Sequence, residues 1–219
     1  MALTCTHSNH YKYQLGVAAL NLLTNTIRVL LMRSGFVFDK DIHAKLINIK
    51  GTTSARTDIS FEDSTKHIHT VAGTFETYGF VAGGKITVSG STSNNTTFTI
   101  VSVDSETQMT IDEAPTTENA GQSITIVGAD ELADGYGYAH QDLTGQALEE
   151  SDSFNWAELT AANVIWTATG GSIGPTPGAI LYSETSADDT IIGYIDFGEA
   201  QTAPNGAQFT ISNEKIRIA

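Results

Sequence analysis

The chain has 219 residues, with 25 acidic against 11 basic side chains and a net charge of −14, and its lysines and arginines form no block. Nucleic-acid binding needs clustered cations that displace phosphate counterions, so that class is excluded. One cysteine excludes an intrachain disulfide, and no stretch approaches the roughly 18 apolar residues of a membrane span.

A hydrophobic content of 40% is enough for a core, while charged residues make up only 16%. The balance is rich in Thr, Ser, Gly and Asn, which suits strands with one wet face. The single Cys5 fits synthesis in a reducing compartment. The opening MALTCTHSNHYKYQLG lacks a basic region followed by an apolar run, so no signal peptide is expected.

Residues 1–10 are polar and read as an arm, with Ser8 and Asn9 as helix caps. Leu15, Ala18, Ala19 and Leu22 share one helical face, which predicts a helix over 11–22. Residues 26–32 read as a buried strand. Asp39 is placed to cap a brief helix over 40–46. From 53 to 128 helical periodicity vanishes. Short alternating runs at 57–61, 67–71, 85–89, 97–103, 109–111 and 123–127, parted by Gly, Asn, Ser and Asp, predict a small antiparallel barrel or sandwich.

Further strands are expected at 143–148, 153–156, 163–167, 179–182, 190–197, 208–211 and 215–218. The stretch 163–198 reads as a meander with a rigid, non-regular crossing at Gly174-Pro175 and Pro177-Gly178. Residues 1–52 alone cannot build a core. The expected fold class is therefore mainly β: a β-sandwich-like base domain with one N-terminal helix (residues 1–52 and 129–219), interrupted by an inserted antiparallel β-barrel or sandwich module (residues 53–128).

No catalytic constellation emerges. Cys5 near His7 or His10 lacks a held base. Ser172 and Ser89 are not nucleophile elbows, and Gly135-Tyr136-Gly137 is not a dinucleotide loop. The acidic turns 129–131, 149–152 and 187–189 match no calcium loop. His67 and His69 point to one face of a strand and suit a transition metal if Asp63 or Glu76 joins them; a solvated strand face is the simpler expectation, so no metal and no cofactor are assigned. Trp156 and Trp166, with Phe154 and Tyr182, could form a sugar platform, although a strand Trp such as Trp166 is expected in the core. Tyr11, Tyr13, Tyr136 and Tyr138, in the arm and a loop, are the candidate protein-interface residues.

One stretch resembles a known family. The pattern W-T-A-x-G-G-x-I-G-P (Trp166 to Pro175), A-x-L-Y (Ala179 to Tyr182) and D-D-x-I-I-x-x-I-D-F-G (Asp188 to Gly198) is similar to small virion structural proteins of tailed bacteriophages. IRVLLMRSGFVFDK (27–40) and ELADGYGY (131–138) resemble the same family, and 53–128 resembles the β modules that phage proteins carry as insertions. The resemblance implies no catalytic residues and no enzymatic activity. It implies a particle component made in the bacterial cytoplasm: a capsid decoration or cement protein, trimeric, on the outer shell, with the major capsid protein as partner and no nucleic acid or membrane. The alternative is a tail, neck or fibre component with a host-contacting or carbohydrate-binding module.

Overall fold

A computed structural model describes residues 4–152, 156–212 and 215–218. In chain order its elements are β1 (Thr4–His7), α1 (Asn9–Gly16), β2 (Ile27–Leu31), α2 (Ile47–Lys50), β3 (Ser60–Glu62), β4 (His67–His69), β5 (Lys85–Ser89), β6 (Thr97–Ser105), β7 (Gln108–Ile111) and β8 (Thr125–Gly128). Then follow β9 (Gln141–Asp142), β10 (Ala147–Ser151), β11 (Trp156–Thr160), β12 (Val164–Thr167), β13 (Ile173–Ser183), β14 (Ile191–Ala203), β15 (Gln208–Ile211) and β16 (Lys215–Ile218). The fold is mainly β and splits into two compact units, residues 1–45 with 131–219 and residues 46–130. No helix among the described residues is long and apolar enough to cross a membrane, a statement that does not extend to strands.

The first unit is sandwich-like. Its main sheet runs β1-β14-β13-β2-β9, antiparallel throughout. Alternate residues of β2 and β13 turn one face inward: Ile27, Val29, Leu31, Ala179 and Leu181. Across that core stand Val164 and Trp166 of β12, Phe209 and Ile211 of β15, Leu159 of β11 and Ile216 of β16, from a two-stranded and a three-stranded sheet. Trp166 is 2% exposed, and burying a side chain of that size contributes roughly 3 kcal/mol.

Several elements depart from expectation. Residues 4–7 are an edge strand paired with β14, so this part is no loose arm; residues 1–3 lie outside the described residues. Ser8 does cap α1, its hydroxyl accepting from Tyr11 N at 3.0 Å and donating to the Ile191 carbonyl. The helix stops at Gly16, and Ala18 adopts φ 54°. Of the expected face, Leu15 packs on the core from the helix and Leu22 from irregular chain, while Ala18 and Ala19 are exposed; Leu20, outside that face, is buried as well. The helix expected at 40–46 is a set of turns, because the Asp39 carboxylate takes the Asp41 N–H two residues on.

The meander is also corrected. β12 pairs with β15, not with β13. β13 runs straight through the two prolines as a strand with register shifts, holding Gly174–Pro175 in cis, and Thr176 is fully buried. The expected strand 143–148 is instead β9 and β10. Of the strand expected at 153–156, residues 153–155 lie outside the described residues.

The second unit is one antiparallel sheet, β3-β4-β7-β6-β5-β8, curled into a half-barrel. Its inner face carries Phe61, Ile68, Ile86, Val88, Phe98, Ile100, Met109, Ile111 and Ile126, all nearly inaccessible. The unit begins at Leu46 rather than 53. Ile49 of α2 is buried, Gly128 N–H donates to the Gly51 carbonyl, and Thr53 N–H donates to that of Ile126. It closes on Asp130, whose carboxylate accepts Lys85 N.

Candidate functional site

The four candidate tyrosines divide into two pairs. Tyr13 and Tyr136 are 63% and 61% exposed, as an interface requires. Tyr11 and Tyr138 are 1% and 3% exposed, so their assignment as interface residues is corrected. Tyr11 lies on the inward face of α1 against His7. The Tyr138 hydroxyl accepts Leu31 N–H and donates to Glu131, both at 2.9 Å, and its ring leans on Trp166. Burial pushes both phenols well above the usual tyrosine range.

The motif residues from 163 to 198 are occupied by packing. A Cβ on Gly137 would drive into the Thr167 carbonyl, and one on Gly171 into the Tyr136 ring. Trp166 Nε1 donates to the Ala139 carbonyl at 2.7 Å. Asp188 accepts from Thr190 and His10 and lies 3.3 Å from Lys45 Nζ. Burial opposes its ionisation, but these donors together hold its carboxyl below the usual range. The 187–189 turn is thus an anchor for α1.

An aromatic groove of about 360 Å³ opens on the other face of the main sheet, lined by Thr6, Phe36, Val37, Phe38, Pro177, Tyr194 and Asp196. Phe38 stacks on Tyr194 and on His43, and Val37 stands 79% exposed beside it. Burial and then Asp196 push the Tyr194 hydroxyl up to about 12. In the sequence Phe36-Val37-Phe38 is only a short apolar run. The alternation of Tyr194 with buried Ile195 on a strand could have marked its ring as facing the opposite side.

In the second unit the polar face of the sheet gathers Glu62, His67 and His69. β3 and β4 pair so that Glu62 stands opposite His67, and His69 lies two residues on, on the same face. One donor atom from each lies within 4.8 Å of the others, with His69 Nε2 3.6 Å from Glu62 Oε2. Thr65 and Ser64 hydroxyls donate to Glu62 at 2.8 and 3.2 Å and, with His69, hold its carboxyl below the usual range. The third partner is therefore Glu62, not Asp63 or Glu76. The polar run Asp63-Ser64-Thr65-Lys66, read as a hairpin turn, would have found it.

The other candidates stay apart. Cys5 sits on β1 opposite Ile195. His7 is half-buried, and desolvation, then Lys12, lowers its pKa, favouring the neutral ring. Asp130 serves the Lys85 backbone. Tyr182 is buried and donates to Glu184. Phe154 lies outside the described residues, as does the side chain of Trp156. Compared with protein-family models, with curated proteins and with solved structures, the chain matches none.

Proposed function

We propose that this chain is a structural subunit of a tailed-bacteriophage particle, a capsid decoration or cement protein on the outer shell. The observation that carries the proposal is where the resembling segments fall. Residues 27–40, 131–138 and 163–198 are scattered along the sequence, yet β2, β13 and β14 are neighbours in one sheet, with Glu131 bridging Met32 and Tyr138 bonding Leu31. Gly137, Gly171, Gly174, Gly178 and Gly193 of these segments lie too close to neighbouring chain to carry a side chain, which suits a shape built for assembly and supports a role without chemistry.

The contact chemistry would come from Tyr13, Tyr136 and the groove beside Val37, where amphipathic rings bury area at low entropic cost. The partner is the major capsid protein. A trimer of this chain at three-subunit junctions would match closed symmetry to the site and staple neighbouring capsid subunits against internal pressure. The acidic surface would keep assembled particles apart in solution.

The test is density from an intact particle together with the copy number of this chain per particle. Density on the outer shell, in copies matching the shell lattice, supports the proposal. Density in a ring at the neck or tail, or on a fibre, overturns it and returns the alternative role. A glycan array on the full chain then decides whether the 46–130 unit contacts a carbohydrate.

A further inference from the structure

We infer that Glu62, His67 and His69 form a binding site for a zinc-class divalent cation on the polar face of the second unit. Two neutral imidazoles and a carboxylate are a donor set that suits zinc and its neighbours rather than calcium or magnesium, which take oxygens alone. At metal–ligand bonds of about 2.0–2.2 Å, donors around a tetrahedral ion stand about 3.4 Å apart. His69 Nε2 and Glu62 Oε2 are already 3.6 Å apart, and the three donors span at most 4.8 Å. Ring rotations of about 1 Å at the donor atoms bring all three to coordination distance.

The scaffold under the site is fixed. Phe61 and Ile68, which alternate with the ligands, and Met109, on the strand beyond, are sunk in the core at 2% exposure or less. The register is set by a four-residue turn in which Lys66 takes φ 56° and its N–H donates to the Asp63 carbonyl. The surroundings are those of a held site. Thr65 and Ser64 orient the Glu62 carboxylate. On the neighbouring strand Gln108 stands opposite His69 and Thr110 opposite His67. Gln108 Nε2 reaches His67 Nε2 at 3.5 Å and Asp104 at 3.1 Å, and Thr110 donates to Asp104. Glu62 and Asp104 together bring two negative charges to the ion. The three ligands are half-buried, so the fourth position opens outward, where water or a donor from another molecule completes the shell.

The experiment titrates zinc sulfate into the chelator-stripped full chain by calorimetry, beside H67A, H69A, E62Q and, as control, the exposed H140A. One equivalent of zinc should bind with micromolar affinity or better. H67A and H69A should each weaken it by at least about 100-fold, since even second-shell changes at such sites cost 10–100-fold. E62Q should weaken it less, and H140A not at all. The zinc absorption edge of the loaded chain should show imidazole scattering from two rings. Absence of saturable uptake at micromolar zinc overturns the site. So does binding that H67A and H69A leave unchanged, or an edge without imidazole scattering.

Discussion

Tyr138 Oη accepts the backbone N–H of Leu31 at 2.9 Å, at the point on β2 where its neighbour β9 has already ended. A side chain there does the work of a strand. Tyr138→Phe leaves that buried N–H without its acceptor, and the expected loss is about 1–3 kcal/mol for the first unit. Urea unfolding followed by tryptophan fluorescence reads it, because Trp166 packs on the same ring. An unchanged midpoint would show that the bond contributes nothing.

Asp58 is the corresponding hub of the second unit. Its carboxylate takes Arg56 in a two-pronged pair at 2.7 and 2.9 Å, the Thr70 hydroxyl, and the N–H groups of Val71 and Ala72. Arg56 first, then these donors, hold its carboxyl far below the usual range. A depressed folded value means the stabilisation is present above the unfolded pKa of about 3.9 and is lost as pH falls through the folded value. Asp58→Ala should destabilise this unit by about 2 kcal/mol at neutral pH. It should also flatten the acid limb of the stability curve below about pH 4. Hydrogen exchange of residues 46–130 across that range is the measurement, and an acid limb as steep as the parent's counts against the assignment.

Two glycines with similar backbone angles should respond differently. Gly137 has φ +87° and Gly170 φ +77°, but only Gly137 lies against a neighbouring backbone, the Thr167 carbonyl. Gly170→Ala should cost about 1 kcal/mol, from the left-handed conformation alone. Gly137→Ala adds a clash that the chain can relieve only by moving the 135–138 turn off β12, so its loss should exceed about 3 kcal/mol. Equal thermal shifts in the two variants would mean that the close approach is unimportant.

Deleting residues 1–8 removes β1 and the Ser8 cap, and should lower the unfolding free energy, read by urea titration, by more than the roughly 1 kcal/mol a cap alone contributes. Interface tests on particles therefore need point changes. Tyr13→Ala and Tyr136→Ala should each leave stability within about 0.5 kcal/mol, since both rings are largely exposed. Each should lower occupancy on particles several-fold if it is an anchor of the interface. Full occupancy with both replaced would remove the tyrosines from the proposed contact.

Much of the fold was legible where burial alternates along a strand. Lys85–Ser89 and Gln208–Ile211 carry that alternation cleanly, and both bounds agree with the sequence reading. Leu15, Ala18, Ala19 and Leu22 misled because Leu22 is buried from irregular chain and two exposed alanines complete an apparent helical stripe. The pairing of β12 with β15 was hidden, since adjacency in sequence favours the intervening β13. Exposure of the tyrosines could not be read from their polar surroundings, because Tyr138 satisfies its burial through Leu31, distant in sequence, and Tyr11 is buried with its ring against His7 and its hydroxyl unpartnered among the described residues. Glu62 was missed for a related reason. Two histidines on one strand are visible to counting, whereas the residue across from them depends on register, which the Asp63-Ser64-Thr65-Lys66 turn sets.

The division of the first unit has a consequence for how the chain comes into being. Residues 46–130 find all their strand partners among themselves, so this unit can close as soon as residue 130 has been synthesised. β1 and β2 cannot: Thr4 waits for Asp196 and Ile27 for Ser183. During that interval the apolar run Ile27–Leu31 has only β9 made before β13, and β9 pairs with just two of its residues. Nascent chains arrested between residues 130 and 173 should therefore be protease-resistant over 46–130 and cut within 4–45. The inserted unit thereby sets a delay during which β1 and β2 stay without the sheet they belong to.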